Sequence, residues 1–259
     1  MIQANERQHV AAWERAIAEY RKLVTEKPAD GVLLTKFAAV YQSAGRTREA
    51  VALLAEASAA NPKDTLLSLK VAALQAWFGQ DREFAATRQR ILAFAKDTTE
   101  AATAERAAKA CSTLPSPDEA EVEAALALGR TAVKVVKGTE GWDWYLLALG
   151  MAEYRRGNYA AADEALCAAE KAGPKNRYVT GTSPFYRAMS LFRQGNEEEA
   201  RELAIAAAAK MKPLPKDENN PLAGDADHDD LILWLAYKEA KAMIKFEAVS
   251  PPKAENDKK

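Results

Sequence analysis

Apolar and small residues recur along this chain at spacings of three and four, which puts them on one stripe of an α-helix. The clearest stretch runs from Gly31 to Asp64, GVLLTKFAAVYQSAGRTREAVALLAEASAANPKD. Leu34, Phe37, Ala38 and Tyr41 form one stripe and Gly45 interrupts it. Ala50, Leu54 and Ala57 form a second stripe before Pro62 closes the unit. That pattern predicts two amphipathic helices, a tight turn and a proline stop. Neither helix can bury its apolar face alone.

The same unit returns along the chain. Pro28 lies 34 positions before Pro62, where a preceding unit closes, and Ala16, Tyr20 and Leu23 fall on the packing sites of its second helix. Few residues precede that helix, over about residues 10–30, so the chain opens inside a unit. The expectation is a fragment of a longer polypeptide, or a chain with an atypical N-terminal cap. Residues 65–98 carry Val71, Ala72 and Gly79, then Phe84, Ile91 and Phe94. A third pair covers 100–138, broken at Leu114-Pro115-Ser116-Pro117, with Asp118 as an N-cap. The fourth, 143–176, carries Leu146, Leu149, Gly150, Tyr154, Gly157, Ala162, Leu166, Ala169 and Pro174; its aromatic is moved by one, with Glu153 on the aromatic site. The fifth, 181–213, carries Ala188, Phe192, Gly195, Ala200 and Ala207. After a proline- and asparagine-containing loop, a capping helix is predicted over 227–247, offering Leu231, Trp234, Leu235, Tyr237 and Met243 for packing. Residues 1–247 read as one repeat domain and 248–259 as a disordered tail.

At about 34 residues per unit, with these residue classes at these sites, the pattern resembles the tetratricopeptide repeat. The resemblance implies an all-α solenoid of antiparallel helix pairs, about five of them, plus a leading helix and a C-terminal capping helix. A narrower likeness rests on AERAAKACSTLP (Ala104–Pro115), LALGMAEYRRGNYAAADEAL (Leu147–Leu166) and the late helix with Trp234 and KEAKAMI. These segments are similar to the tetratricopeptide region at the C-terminal end of planctomycete-type bacterial Ser/Thr protein kinases and WD40-containing proteins. The likeness covers roughly Leu66 to Lys245. No catalytic residue carries over, because the chain has no glycine-rich phosphate loop, HRD-like loop or DFG-like motif.

Composition supports the helical reading and removes several functions. Alanine, the strongest intrinsic helix former, is abundant. With 36 basic and 37 acidic side chains, the chain offers no excess of positive charge for nucleic acid. The small-apolar run Ala204–Ala209 is far below the roughly 20 residues that span a bilayer, and the polar N-terminus lacks a signal peptide's apolar core. A cytoplasmic protein is expected, with Cys111 and Cys167 as buried free thiols.

Candidate chemistry is sparse. His9 and His228 lie at opposite ends, and no CxxC, HExxH or P-loop spacing occurs. No enzyme and no cofactor are expected. Asp225, Asp227, His228, Asp229 and Asp230 could ligate a divalent ion. Their spacing fits neither a calcium loop nor a helical histidine pair, so they read as the N-terminal cap of the last helix.

The expected function is a non-catalytic scaffold that binds a protein or peptide partner on its concave face; the oligomeric state is left open. The resemblance places that groove on the first helix of each pair. There it puts Thr35, Ala39 and Gln42, then Leu66, Leu69, Ala73 and Trp77, then Trp144, Leu147, Met151, Tyr154 and Arg155, then Phe185, Met189, Phe192 and Arg193. The lysine and asparagine of the carboxylate clamp found in chaperone-binding members are absent. The later, less regular repeats are the expected binding section. Alternatives remain: these side chains pack against neighbouring helices or the chain's own termini, the module packs on other domains of a longer chain, or a helical active site goes unrecognised.

Overall fold

The computed structural model describes residues 2–27, 30–136 and 140–247, with side chains from Val10 onward. Pro28, the side chain of His9 and the expected tail at 248–259 lie outside them. Among the described residues there are twelve helices and no strand, and no helix is long and apolar enough to cross a membrane.

Ten helices form five antiparallel pairs: α2 (Gly31–Ser43) with α3 (Thr47–Ala60), α4 (Thr65–Trp77) with α5 (Asp81–Ala95), and α6 (Ala101–Ser112) with α7 (Glu119–Val136). The series continues with α8 (Trp142–Arg156) beside α9 (Tyr159–Ala172) and α10 (Arg177–Arg193) beside α11 (Glu197–Lys210). A leading helix, α1 (Ile2–Glu26), stacks on α2, and α12 (His228–Ile244) ends the array. The first helices α4, α6, α8 and α10 lie side by side along one face.

Local sequence explains most boundaries. Asp30 accepts hydrogen bonds from the Val32 and Leu33 amides, Asp64 from Leu67, and Asn176 from Tyr178 and Val179. Gly45 and Gly157 turn the chain between paired helices at φ 73° and 88°, a left-handed conformation that side-chain-bearing residues rarely adopt. Most of the predicted stripe positions are buried, with Leu34, Ala38, Ala50, Ala162, Leu166 and Ala169 each fully enclosed, but Leu23 of α1 and Phe94 of α5 are exposed. On the fourth unit the displaced aromatic, Tyr154, is buried. Glu153 beside it is buried too, and satisfied by Arg130 at 3.0 Å and by the Asn158 amide at 2.6 Å.

α1 uses one face only. Tyr20 stacks on Phe37 at 5.4 Å, Arg21 donates to the Tyr41 hydroxyl at 3.0 Å, and Ile17 is buried, while Val10 and Leu23 face water.

Pair contacts are close at Gly150, where a Cβ would stand 2.4 Å from the Leu166 Cγ. Overpacking a core costs about 1–3 kcal/mol, whereas alanine gains roughly 1 kcal/mol over glycine in a helix. Gly150→Ala is therefore expected to lower stability by about 1 kcal/mol in urea melts. A raised midpoint would show that the α8–α9 interface has room to spare.

Candidate interaction groove

The last helix governs this site. Its start is built by Asp227, whose carboxylate accepts from the Asp229 and Asp230 amides, while Asp230 accepts from the Asp227 amide. This capping box, completed by Tyr178 donating to Asp227 at 2.5 Å, is what the acidic cluster forms. Donor atoms of Asp227, His228 and Asp229 do lie within 4.8 Å of one another. Their carboxylates, however, are committed to the cap, to Tyr178 and to Lys109 at 3.3 Å. The Asp230 side chain is fully buried against Lys212 and Arg177.

From that cap, α12 runs back along the first helices of four pairs. Trp234 meets Trp77 of α4, ring to ring at 5.8 Å. Asp229 reaches Lys109 of α6, Glu239 grips Arg155 of α8, and Tyr237 meets Phe185 of α10 at 5.6 Å. The preceding loop closes over the same face. The Trp77 indole donates to the Glu218 carbonyl at 3.0 Å, the Trp234 indole to the Lys212 carbonyl at 2.9 Å, and Thr47 to Asn220 at 2.6 Å.

Arg155 is the polar centre of this packing. It donates to the Ser112 and Thr113 carbonyls at 2.8 and 2.9 Å, and to both Glu239 oxygens at 2.5 and 2.6 Å. Burial disfavours its charge, but Tyr186 and Glu239 outweigh that and raise its pKa. Lys109 is similar. Burial opposes the ammonium, Glu105 and Asp229 more than compensate, and the ammonium sits 4.4 Å from the Trp144 ring.

These contacts correct the expectation of an open groove on the later repeats. Leu147, Met151, Tyr154, Phe185 and Met189 are buried, and so is Trp77. Arg155 is enclosed by Glu239. Trp144 and Phe192 are half-buried and packed on the core, and Arg193 is exposed at the rim. The physical reason is that α12 carries apolar groups around most of its circumference. Leu231, Ile232, Leu233 and Trp234 are all buried, so the helix needs cover on several sides.

Two openings lie near the start of α12, beside α4. A cavity of about 490 Å³ is lined by Thr35, Ala39 and Gln42 of α2, Leu66, Lys70 and Leu74 of α4, and Leu222, Ala226 and His228. A second, of about 240 Å³, lies between Leu66, Arg106, Lys109, Trp144, Tyr145 and His228. Sequence reasoning placed Thr35, Ala39 and Gln42 on the groove but missed Lys70, Lys109 and Glu239. The run LILWL, apolar on consecutive positions, was the signal that α12 is enclosed. Neither cysteine forms a disulfide; Cys111 is buried, and burial pushes its thiol up to about 12, while Cys167 is half-buried.

Residues 11–78 match the tetratricopeptide repeat family model. The fold is tetratricopeptide-like. A tetratricopeptide repeat protein from Parabacteroides merdae superposes with a TM-score of 0.51 at 14% identity, covering 93% of this chain and 90% of that one. Yeast Tom70 gives a TM-score of 0.42 at 13% identity, covering 88% of this chain and 43% of that one. No curated protein matches the sequence. None of these matches carries the narrower likeness to kinases or WD40 proteins.

Two measurements test this tetratricopeptide-like arrangement. Glu239→Ala is expected to cost about 2 kcal/mol. That is below the 3–5 kcal/mol of a fully buried pair, because Glu239 keeps a quarter of its side chain in water. Glu218→Ala, which removes the exposed partner of Lys238, is expected to cost at most about 0.5 kcal/mol. Equal losses in the two variants would contradict the assignment.

The second concerns His228. Burial lowers its pKa; Asp229 opposes the shift, and Lys109 reinforces it. The folded state thus favours neutral imidazole. Its contribution is present above the unfolded value of roughly 6.5 and is lost as pH falls below it. His228→Gln is expected to flatten the stability slope as pH falls below about 6.5. An unchanged slope would remove His228 as its source.

Proposed function

We propose that this chain is a non-catalytic protein-interaction scaffold that takes a helix or an extended segment of a partner protein on its concave face. The tetratricopeptide-like fold suggests such a scaffold and is typically non-catalytic. Stacked helices hold a groove in place before binding, so little ordering entropy is lost when a segment docks. The observation that carries the reading is the open stretch over α2 and α4, where Thr35 and Ala39 are exposed beside the 490 Å³ cavity. Over the following repeats the chain's own α12 lies on the same face, a helix seated among first helices. The finer reading, an accessory region of a bacterial Ser/Thr kinase or WD40 protein, rests on the sequence resemblance alone. Packing on other domains of a longer chain would use the same open stretch.

A photo-crosslinking residue placed at Ala39 tests the reading in cells that express the protein, with the same residue at the exposed position Glu56 as control. Specific protein adducts from position 39 and none from position 56 are expected. The same adducts from both positions, or none from position 39, would count against a concave binding surface.

A further inference from the structure

We infer that the open stretch over α2 and α4 binds an acidic amphipathic segment, apolar on one face and carrying a carboxylate that pairs with Lys70. The inference rests on the scaffold reading and narrows it to one section of the groove and one partner chemistry.

The chain contains its own example of what this face accepts. Wherever α12 covers a first helix that presents a buried cation, it supplies an acid. Asp229 pairs with Lys109 of α6 at 3.3 Å, and Glu239 with Arg155 of α8 at 2.5 Å. Between these carboxylates α12 lays down apolar and aromatic side chains. The pattern stops at the cap, Asp227. Beyond that cap, the part of α4 that α12 leaves uncovered presents Lys70 into the 490 Å³ cavity, beside Leu66 and Leu74 and with Ala39 of α2. Among the described residues no carboxylate lies within ion-pair distance of its ammonium; the cation is there and the acid is not.

The remaining polar groups of the cavity point the same way. Asp227 is its single acidic lining residue, and that carboxylate is taken by Tyr178 and by two backbone amides. His228 is held toward its neutral form by burial. Thr35 already donates its hydroxyl to the Gly31 carbonyl at 2.8 Å. An incoming basic segment would therefore meet Lys70 unopposed, and a purely apolar one would leave that ammonium in a poorer dielectric without a partner. A segment with an acid at one edge of an apolar face meets both requirements, and like-charge juxtaposition discriminates against the alternative.

The test uses the full chain and two synthetic amphipathic helices about four turns long. Both have leucine on one face; one carries glutamate and the other lysine on the opposite face. Fluorescence anisotropy is expected to show saturable binding of the glutamate peptide, with the lysine peptide at least about tenfold weaker. Lys70→Glu is expected to reverse that order. Since Lys70 is exposed, its melting curve should match the wild type, which separates lost binding from lost folding. Ala39→Arg, in the α2 lining of the cavity, should weaken both peptides by obstruction. Equal affinity for the two peptides, or a preference that Lys70→Glu leaves untouched, overturns the acidic-segment inference while the scaffold reading stands. Binding of neither peptide overturns the inference and removes support from the open stretch as a docking surface. Sedimentation of the protein alone is expected to give a monomer. A dimer abolished by Lys70→Glu would assign the stretch to a second copy and overturn the inference as well.

Discussion

A face carrying Trp77 of α4, Tyr154 of α8 and Phe185 of α10, each in contact with α12, is too apolar to stand in water without cost. Each fully buried aliphatic or aromatic side chain contributes about 1.5–3 kcal/mol relative to exposure, and several lie side by side here. The rest of the structure follows from covering that surface. α12 needs that face, because its own apolar groups run nearly all the way round. The face needs α12, because the stacking of pair upon pair buries only the sides and backs of the first helices. Arg155 makes the closure polar at its centre and joins the α6–α7 turn, α8 and α12 through one guanidinium. The capping box at Asp227 then sets where the covering helix starts, and with it where the cover ends.

Function is confined by the same constraint. Repeats that look most suited to binding, with their aromatics on groove positions, are those that the chain has already occupied. The most regular repeat, which has the smallest groove residues in Thr35 and Ala39, keeps its concave wall free. A surface lined by small side chains beside an unpaired lysine has room for another chain, whereas a surface of large aromatics fills with the protein's own helix.

What could be read from the sequence separates along the line between local and long-range physics. Helix stripes, turn glycines, proline stops and aspartate caps act over a few residues, so Leu34, Gly45 and Asp64 announced their roles. The acidic cluster at Asp225–Asp230 was legible as a cap for the same reason. The burial of Phe185 was not, because it depends on a helix some 40 to 60 residues away in the chain returning to meet it through Tyr237. The pairing of Glu239 with Arg155 spans 84 positions and has no local signature. One clue existed in LILWL, since a helix that is apolar all round must be enclosed.

Residue-resolved amide hydrogen exchange on the unliganded protein addresses the central claim, that α12 seals the concave face of the later repeats while the first stays open. The account predicts that the α12 amides from Leu231 to Ala240 exchange as slowly as those of α8 and α10, in one cooperative unit with them, while α2 exchanges faster. An α12 that exchanges rapidly while α8 and α10 remain protected would contradict it, because the groove would then be open along its whole length.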